Sequence, residues 1–132
     1  MDTSKLFYRS VNGIFEQGRP SFAIQNGKLI GQLRGFDDCK CALGHLIDDR
    51  FPICEGGLGT ALPMIRLSND GLYTPIKPIQ VRMLKELEML HDSLISKMEN
   101  GVNVPLTNEE FTSKFMEKAA KIAEAYSLVY QP

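Results

Sequence analysis

The chain has 132 residues, of which 43% are hydrophobic and 23% are charged, a composition typical of one folded domain (residues 1–132) rather than of a disordered chain. Its formal net charge of −1 does not favour a general nucleic-acid or membrane-surface binder, because such binding depends on an excess of basic residues. No apolar stretch approaches the roughly 20 residues that cross a bilayer, so no contact with a membrane is expected.

The cysteine count and the N-terminal segment bear on the compartment. Three cysteines cannot all pair within one chain, and residues 1–9 contain no long apolar run of the kind that marks a secretory signal. The simplest interpretation is a cytoplasmic protein with reduced thiols. Its stability then has to come from burying apolar side chains.

The first predicted element is a short helix near the N-terminus. Thr3 or Ser4 can cap its first turn, and Asn12-Gly13 is a natural stop, because both residues tolerate the left-handed conformation that ends helices. Residues 14–19 are expected to be extended.

A β-hairpin is predicted over residues 21–33. Two short apolar segments flank Asn26-Gly27, the dipeptide best suited to a two-residue type I′ turn. This is the most specific local structural signal in the sequence.

A second helix is predicted from Cys39 to Asp49. Asp37 or Asp38 stands where an N-cap belongs, and Pro52 limits the helix on its other side. Gly44, in the middle of this segment, is expected to allow close packing by the helix that carries Leu87 and Leu90.

The next segment, residues 51–78, is rich in glycine and proline and predicts a long irregular connection, part of it packed as a short strand or a turn of helix. The longest helix is expected from Ile79 to Met98, ending at Asn100-Gly101. Its apolar stripe runs through Leu87 and Leu90, while Glu88 and Asp92 fall on the opposite, solvated side.

The last helix has the clearest start. Thr107 and Glu110 form a capping box, and Leu106 and Phe111 have the spacing of the accompanying hydrophobic staple. Together the elements predict an α+β domain of about four helices with one β-hairpin packed against them.

Four segments carry a resemblance to a known type of protein. They are Glu16-Gln17-Gly18, the Cys-Ala-Leu-Gly-His-Leu-Ile-Asp run of residues 41–48, the Leu-Glu-Met-Leu-His-Asp run of residues 87–92, and residues 115–123. In this order they resemble a recurring type of uncharacterised small phage and prophage protein, in which Asn stands in place of His91. The resemblance implies a phage or mobile-element context, and it implies no chemistry.

The first candidate site is a thiol site. Cys39 and Cys41 lie at the start of a predicted helix, where the helix dipole favours a thiolate, and His91 and Asp92 stand elsewhere in sequence, as the partners of a cysteine nucleophile do. Adjacent helical residues point about 100° apart, so Asp92 is expected to be poorly placed to orient the His91 ring. The alternative is that Cys41 is a small core residue.

The second candidate is a zinc site. Cys41 and His45 share one face of the predicted helix, and Cys39, Cys54 and His91 could complete a ligand set. The spacing matches no common zinc pattern, so scattered reduced thiols are the favoured interpretation. No metal and no cofactor are expected.

The third candidate is a ligand-binding loop at Gly56-Gly57-Leu58-Gly59, since glycine-rich turns can expose backbone amides to an anion. No nucleotide-binding fingerprint is complete here, and a surface loop is the alternative. If a ligand binds, it is expected at this loop together with Arg50 and Arg66, with His45 a further candidate.

Asp48 and Asp49 close the predicted second helix, where negative charge is mildly unfavourable. A nearby arginine, Arg34 or Arg50, is expected to compensate them.

The sequence leads to three hypotheses about function. The first is a non-enzymatic phage- or mobile-element-type protein that binds a host protein or a small ligand. The alternatives are a cysteine-dependent hydrolase or transferase that uses Cys41 or Cys39 with His91, and a zinc-stabilised structural module. The apolar faces of the two long helices, rich in Met and Ala, are candidates for a homodimer surface.

Overall fold

The computed structural model describes residues 2–68 and 75–128 and confirms the α+β class. Within those residues it contains four α-helices and two β-hairpins, whereas the sequence predicts one hairpin. In chain order the elements are α1 (Thr3–Gln17), β1 (Phe22–Gln25), β2 (Lys28–Gly31), α2 (Leu58–Leu67), α3 (Pro78–Ser93), β3 (Ser96–Glu99), β4 (Val102–Pro105) and α4 (Asn108–Ala125).

The first helix starts at Thr3, as predicted, but its N-cap and its end differ from the prediction. Asp2 is the N-cap of α1, and its side chain accepts a hydrogen bond of 2.7 Å from the amide of Ser4. The helix continues through Gly13 and ends at Gly18, whose φ of 72° is left-handed. Burial of Ile14 on the inner face of α1 outweighs the cost of a glycine inside a helix, which is about 1 kcal/mol.

The first predicted hairpin is confirmed. Strands β1 and β2 pair antiparallel, with Gln25 opposite Lys28 next to the turn. Asn26 and Gly27 both have positive φ, at 52° and 75°, as a type I′ turn requires.

The predicted helix over Cys39–Asp49 is wrong, and so are its caps. Two short 3₁₀ turns, Phe36–Asp38 and Gly44–Leu46, lie on either side of extended backbone at Cys39. Asp37 and Asp38 both adopt a left-handed φ of 56°, so neither is a helix N-cap.

Side chains from elsewhere occupy the backbone groups that a helix in this segment would need. The hydroxyl of Ser21 donates to the carbonyl of Cys39 at 2.8 Å. The side-chain amide of Gln17 bonds both backbone groups of Lys40, accepting from its N–H at 2.7 Å and donating to its carbonyl at 3.0 Å. Because these bonds satisfy the backbone in an extended conformation, the segment gains nothing by becoming helical.

Gly44 does allow a close approach, but by a different neighbour from the one predicted. A Cβ at this position would overlap the backbone carbonyl oxygen of Leu33, which follows β2. The prediction that the helix with Leu87 and Leu90 packs on Gly44 is therefore wrong. The close contact joins the Gly44–Leu46 turn to the end of the first hairpin.

The predicted irregular connection contains a helix of ten residues, α2, which begins after Gly57 and includes Pro63. Its buried residues are Ala61 and Ile65, so this stretch is packed on the core as a full helix rather than a single turn. Residues 69–74 of the connection lie outside the described residues.

Helix α3 is shorter than predicted. It ends at Ser93, and residues 96–105 form a second antiparallel hairpin, β3–β4, instead of a last helical turn and a coil. Asn100 and Gly101 have φ values of 51° and 78°, the same pair of left-handed residues as in the first hairpin. The predicted helix stop at Asn100-Gly101 is thus a hairpin turn.

The start of α4 is confirmed. The Thr107 hydroxyl accepts from the Glu110 amide at 3.1 Å, and the Glu110 carboxylate accepts from the Thr107 amide at 3.4 Å.

Between the helices lies one apolar core, to which α1, α3 and α4 contribute most of the large side chains. The fully buried large apolar residues are Leu6, Phe7, Ile14, Leu33, Leu43, Ile65, Met83, Leu84, Leu87, Phe111 and Phe115. No helix among the described residues is long and apolar enough to cross a membrane.

Candidate functional site

Three polar side chains lie together at the end of α3. Glu88, His91 and Asp92 follow the i, i+3, i+4 spacing of one helix face, and Cys41 approaches them from the segment after the first hairpin. His91 is fully buried, the side chain of Glu88 is 17% exposed, and that of Asp92 is half-exposed. We call these four residues the polar cluster.

Both ring nitrogens of His91 are occupied by hydrogen bonds. Nε2 accepts from the backbone N–H of Ser21 at 3.0 Å, which assigns the proton of the neutral ring to Nδ1. Nδ1 then donates to Asp92 Oδ1 at 2.8 Å, with Glu88 Oε1 at 3.7 Å. The ring also meets Phe111 edge to face, with centroids 5.7 Å apart.

The expectation that Asp92 is badly placed to orient His91 is therefore wrong. The 100° angle between adjacent helical residues describes where their side chains leave the backbone. The side-chain torsions of Asp92 and His91 close the remaining gap to 2.8 Å.

Cys41 is 1% exposed and serves as a hydrogen-bond donor. Its Sγ donates to Glu88 Oε2 at 3.0 Å and accepts from the amide of Gly44 at 3.4 Å. Burial raises the pKa of the Cys41 thiol well above its ordinary value, and the negative charge of the neighbouring Glu88 carboxylate is the second cause of this shift. Burial also raises the pKa of Glu88. The thiol is thus held in its protonated form, which is not nucleophilic.

A small cavity of about 50 Å³ lies beside the polar cluster. It has room for one or two water-sized molecules, and Glu88 Oε1 is a buried oxygen without a hydrogen-bond partner. The cavity brings together two features that the sequence treats separately, the thiol and the glycine loop. Its lining residues are Gly31, Gln32, Leu33, Cys41, Gly56, Gly57, Glu88 and Asp92.

The rest of the predicted ligand-binding set does not gather at this cavity. Gly59 lies in the first turn of α2, whereas Arg66 lies in its last turn. Arg50 donates to the carbonyl of Leu67 at 2.6 Å, at the same far end of α2. A helix of ten residues is about 15 Å long, so the Leu67 carbonyl that Arg50 bonds lies about that far along α2 from Gly57, which precedes the first helical residue.

The predicted arginine partners of the two aspartates are confirmed. Arg34 lies 3.4 Å from Asp49, and Arg50 lies 3.9 Å from Asp48. Lys40 pairs with Asp49 as well, at 2.5 Å. These exposed pairs compensate the acidic charges without forming a pocket.

His45 lies apart from the polar cluster. Its ring packs against α1 at Gly13, where a Cβ would overlap the ring atoms, and its Nε2 is buried with no hydrogen-bond partner. Cys41 lies outside any helix and His45 lies in the short 3₁₀ turn Gly44–Leu46, so the two residues do not share the predicted face of an α-helix. Burial, helped by the charge of Lys40, lowers the pKa of His45 to about 4.

This depressed pKa predicts a loss of stability in acid. A histidine that is neutral in the folded state contributes stability above its unfolded pKa of 6.5, and that contribution disappears as the pH falls toward about 4. We expect wild type to lose roughly 2–3 kcal/mol more than His45→Gln between about pH 7 and pH 4 in urea unfolding. The raised pKa of Glu88 has the opposite effect on stability, because it favours the folded protein as the pH falls. Glu88→Gln, which lacks this contribution, is therefore a second reference protein. Equal pH profiles for wild type and His45→Gln would contradict the burial of a neutral His45.

The predicted zinc set is not assembled. Among the described residues, the metal-ligating side chains close enough to share one ion are Glu88, His91 and Asp92, with ligand atoms within 4.8 Å of one another. The Nδ1 that faces the two carboxylates carries a proton, and the other nitrogen accepts from Ser21. A metal-bound histidine normally donates its second N–H instead, so this geometry does not favour a metal.

Sequence reasoning missed two members of this network. Glu88 was expected on the solvated side of α3, yet it is largely buried and bonded to Cys41. Ser21 is fully buried, and its amide and hydroxyl bond His91 and the carbonyls of Gln32 and Cys39. The spacing of Glu88 to His91, three residues on one helix face, is the signal that could have found the first of them.

Comparison with known proteins gives no relative from which a function could be carried over, since no family model, curated protein or solved structure matches the chain.

Proposed function

We propose that this chain is a non-enzymatic binding protein of the type carried by phages and other mobile elements, acting on a host protein or a small ligand. The proposal depends on the burial and hydrogen bonding of Cys41 and His91, which are the best candidates for a catalytic nucleophile and its base. Cys41 and His91 are both buried. The thiol of Cys41 bonds Glu88 and the ring of His91 bonds Ser21, so neither side chain faces an open site. The phage context is suggested by the resemblance of residues 41–48 and 87–92.

The charge states of the two residues support the same conclusion. A catalytic thiol needs a base with a free lone pair or an environment that lowers its pKa. His91 has no free nitrogen lone pair, and the environment of Cys41 raises its pKa. Cys39 is also buried, and burial raises its pKa as well.

One observation favours the cysteine-dependent hydrolase or transferase as a second candidate. Gly57, which has no side-chain cap over the first amides of α2, lines the same cavity as Cys41 and Asp92. Uncapped helix amides beside a thiol resemble the parts of an acyl-transfer site. An opening of the Gly56-Gly57 segment would have to expose Cys41 for this activity.

Native-state alkylation distinguishes the two candidates. We expect iodoacetamide to modify the exposed Cys54 quickly and to modify Cys41 at least about 100-fold more slowly, because only the unfolded state exposes a buried thiol. Mass spectrometry of the peptides gives both rates in one sample, so Cys54 is the internal control. Urea should bring the two rates together.

The opposite outcome is equally clear. Alkylation of Cys41 at a rate close to that of Cys54 in the folded protein would favour the cysteine-dependent enzyme. Steady turnover of a substrate that Cys41→Ala abolishes, with the far-UV circular dichroism unchanged, would overturn the binding proposal. Binding of a host protein or ligand that survives Cys41→Ala supports it.

A further inference from the structure

A groove of about 510 Å³ runs between α3 and α4 on the outside of the molecule. Its floor and walls are mainly apolar, and its most prominent residue is Met89, which is 62% exposed. Single exposed apolar residues are ordinary on a protein surface, whereas in this groove apolar residues of two helices lie next to one another. The lining residues are Glu86, Met89, Leu90, Ser93, Lys121, Ile122 and Ala125.

The two helices that form the groove run antiparallel. His91, near the end of α3, contacts Phe111 at the start of α4, whereas Glu86, earlier in α3, bonds Tyr126 just beyond the end of α4. The groove therefore has two unlike walls, one from each helix, that run side by side along its length.

The charges on those walls are complementary to each other. Glu86 contributes a negative charge from α3, and Lys121 contributes a positive charge from α4. The apolar residues are divided in the same way, with Met89 on α3 and Ile122 on α4. A two-fold axis along the groove would place α3 of one copy on α4 of the other, so that each wall meets its complement.

We propose that this groove is the interface of a symmetric homodimer. Met89 of each copy packs against Ile122 of the partner subunit, and Glu86 of each copy pairs with Lys121 of the partner subunit. The α3–α4 pairs of the two copies then pack face to face as two layers, as in a four-helix bundle. This arrangement is independent of the binding function proposed above.

Sedimentation of the full chain over roughly 1–300 µM tests the proposal. Wild type should form dimers with increasing concentration, and Met89→Lys should raise the dimer Kd about 30-fold or more. Met98→Lys is the matched control, because Met98 is 67% exposed on β3 and lies outside the groove. It should leave the Kd within about threefold of the wild-type value.

Charge reversal identifies the pairing. Glu86→Lys and Lys121→Glu should each raise the Kd about tenfold, and the double variant should return it to within about threefold of wild type. Glu86→Gln keeps an acceptor for Tyr126 and should raise the Kd about threefold, which gives a second variant if Glu86→Lys disturbs folding.

Three outcomes would overturn the homodimer. They are a wild-type protein that stays monomeric over the whole range, a Met98→Lys effect as large as that of Met89→Lys, and a double charge reversal as weak as either single one. A monomer whose groove binds a different protein would overturn it too, while leaving the binding function intact.

Discussion

Replacing His91 with alanine should lower the free energy of unfolding by about 3–5 kcal/mol. The loss has two sources. The buried amide of Ser21 would have no acceptor, and a cavity would open beside Phe111, whose ring meets His91 at 5.7 Å. Urea denaturation followed by circular dichroism gives the change directly.

Two companion variants show whether the hydrogen bond to Ser21 is the cause. His91→Gln places an amide oxygen where Nε2 lies, so it should retain about half of the lost stability. Lys85→Ala, at an exposed position of the same helix, should change the unfolding free energy by less than about 0.5 kcal/mol. A cost below about 1 kcal/mol for His91→Ala would mean that the polar cluster contributes little to the fold.

Gly13→Ala should destabilise the protein by about 2–3 kcal/mol, although alanine is the better helix former by about 1 kcal/mol. The reason is steric, because a Cβ at Gly13 overlaps the ring and Cβ atoms of His45. In the His45→Gly background both the ring and the Cβ are gone, so the same change in α1 should become stabilising. Thermal or urea unfolding of the four proteins forms a double-mutant cycle.

The sign of the effect in the second background is the decisive observation. If Gly13→Ala still destabilises the protein without the His45 ring, the close packing of these two residues is not its cause. Gly59→Ala is the matched control in α2, where an added Cβ meets no atom within 4 Å. It should be neutral or stabilising by a few tenths of a kcal/mol, since it lies in the first helical turn.

Elements with a complete local signal could be predicted from the sequence. The hairpin around Asn26-Gly27 and the start of α4 at Thr107 depend on residues within a few positions of one another. Their conformations are therefore encoded where they occur, and no distant residue has to be known.

Segment 39–49 could not be predicted in the same way, because its conformation depends on Gln17 and Ser21. Those side chains bond its backbone from 18 to 23 residues away. The apolar spacing of the segment fits a helix equally well, so its local pattern contains nothing that excludes one.

The second hairpin shows a different difficulty. Asn100-Gly101 forms the same turn as Asn26-Gly27, yet the residues before it continue the apolar spacing of α3. In the sequence, Met98 has the spacing of the apolar stripe of α3. In the structure it lies on β3 and is 67% exposed. An Asn-Gly dipeptide can either end a helix or form a hairpin turn. Which of the two it adopts depends on packing, and packing is a property of the whole fold.

The candidate site was predictable in part of its membership and not in its hydrogen bonding. The sequence points to Cys41, His91 and Asp92, and it groups the glycine loop with Arg50 and Arg66 rather than with the thiol. Glu88 was assigned to solvent because a carboxylate on a helix is usually exposed. Only the fold shows that the thiol of Cys41 donates to it.

The bond between His91 and Ser21 has a consequence for how the chain reaches its native state. It joins residues 70 positions apart, so it cannot form until the segment that carries Ser21 has reached α3. The entropy of closing such a loop grows only slowly with its length, and it is offset when the contacts between the two segments form. A chain in which these segments have not docked leaves both the Ser21 amide and the His91 ring without this partner. This hydrogen bond therefore stabilises the fully assembled fold relative to partly assembled chains, and a purely apolar core discriminates less strongly between the two.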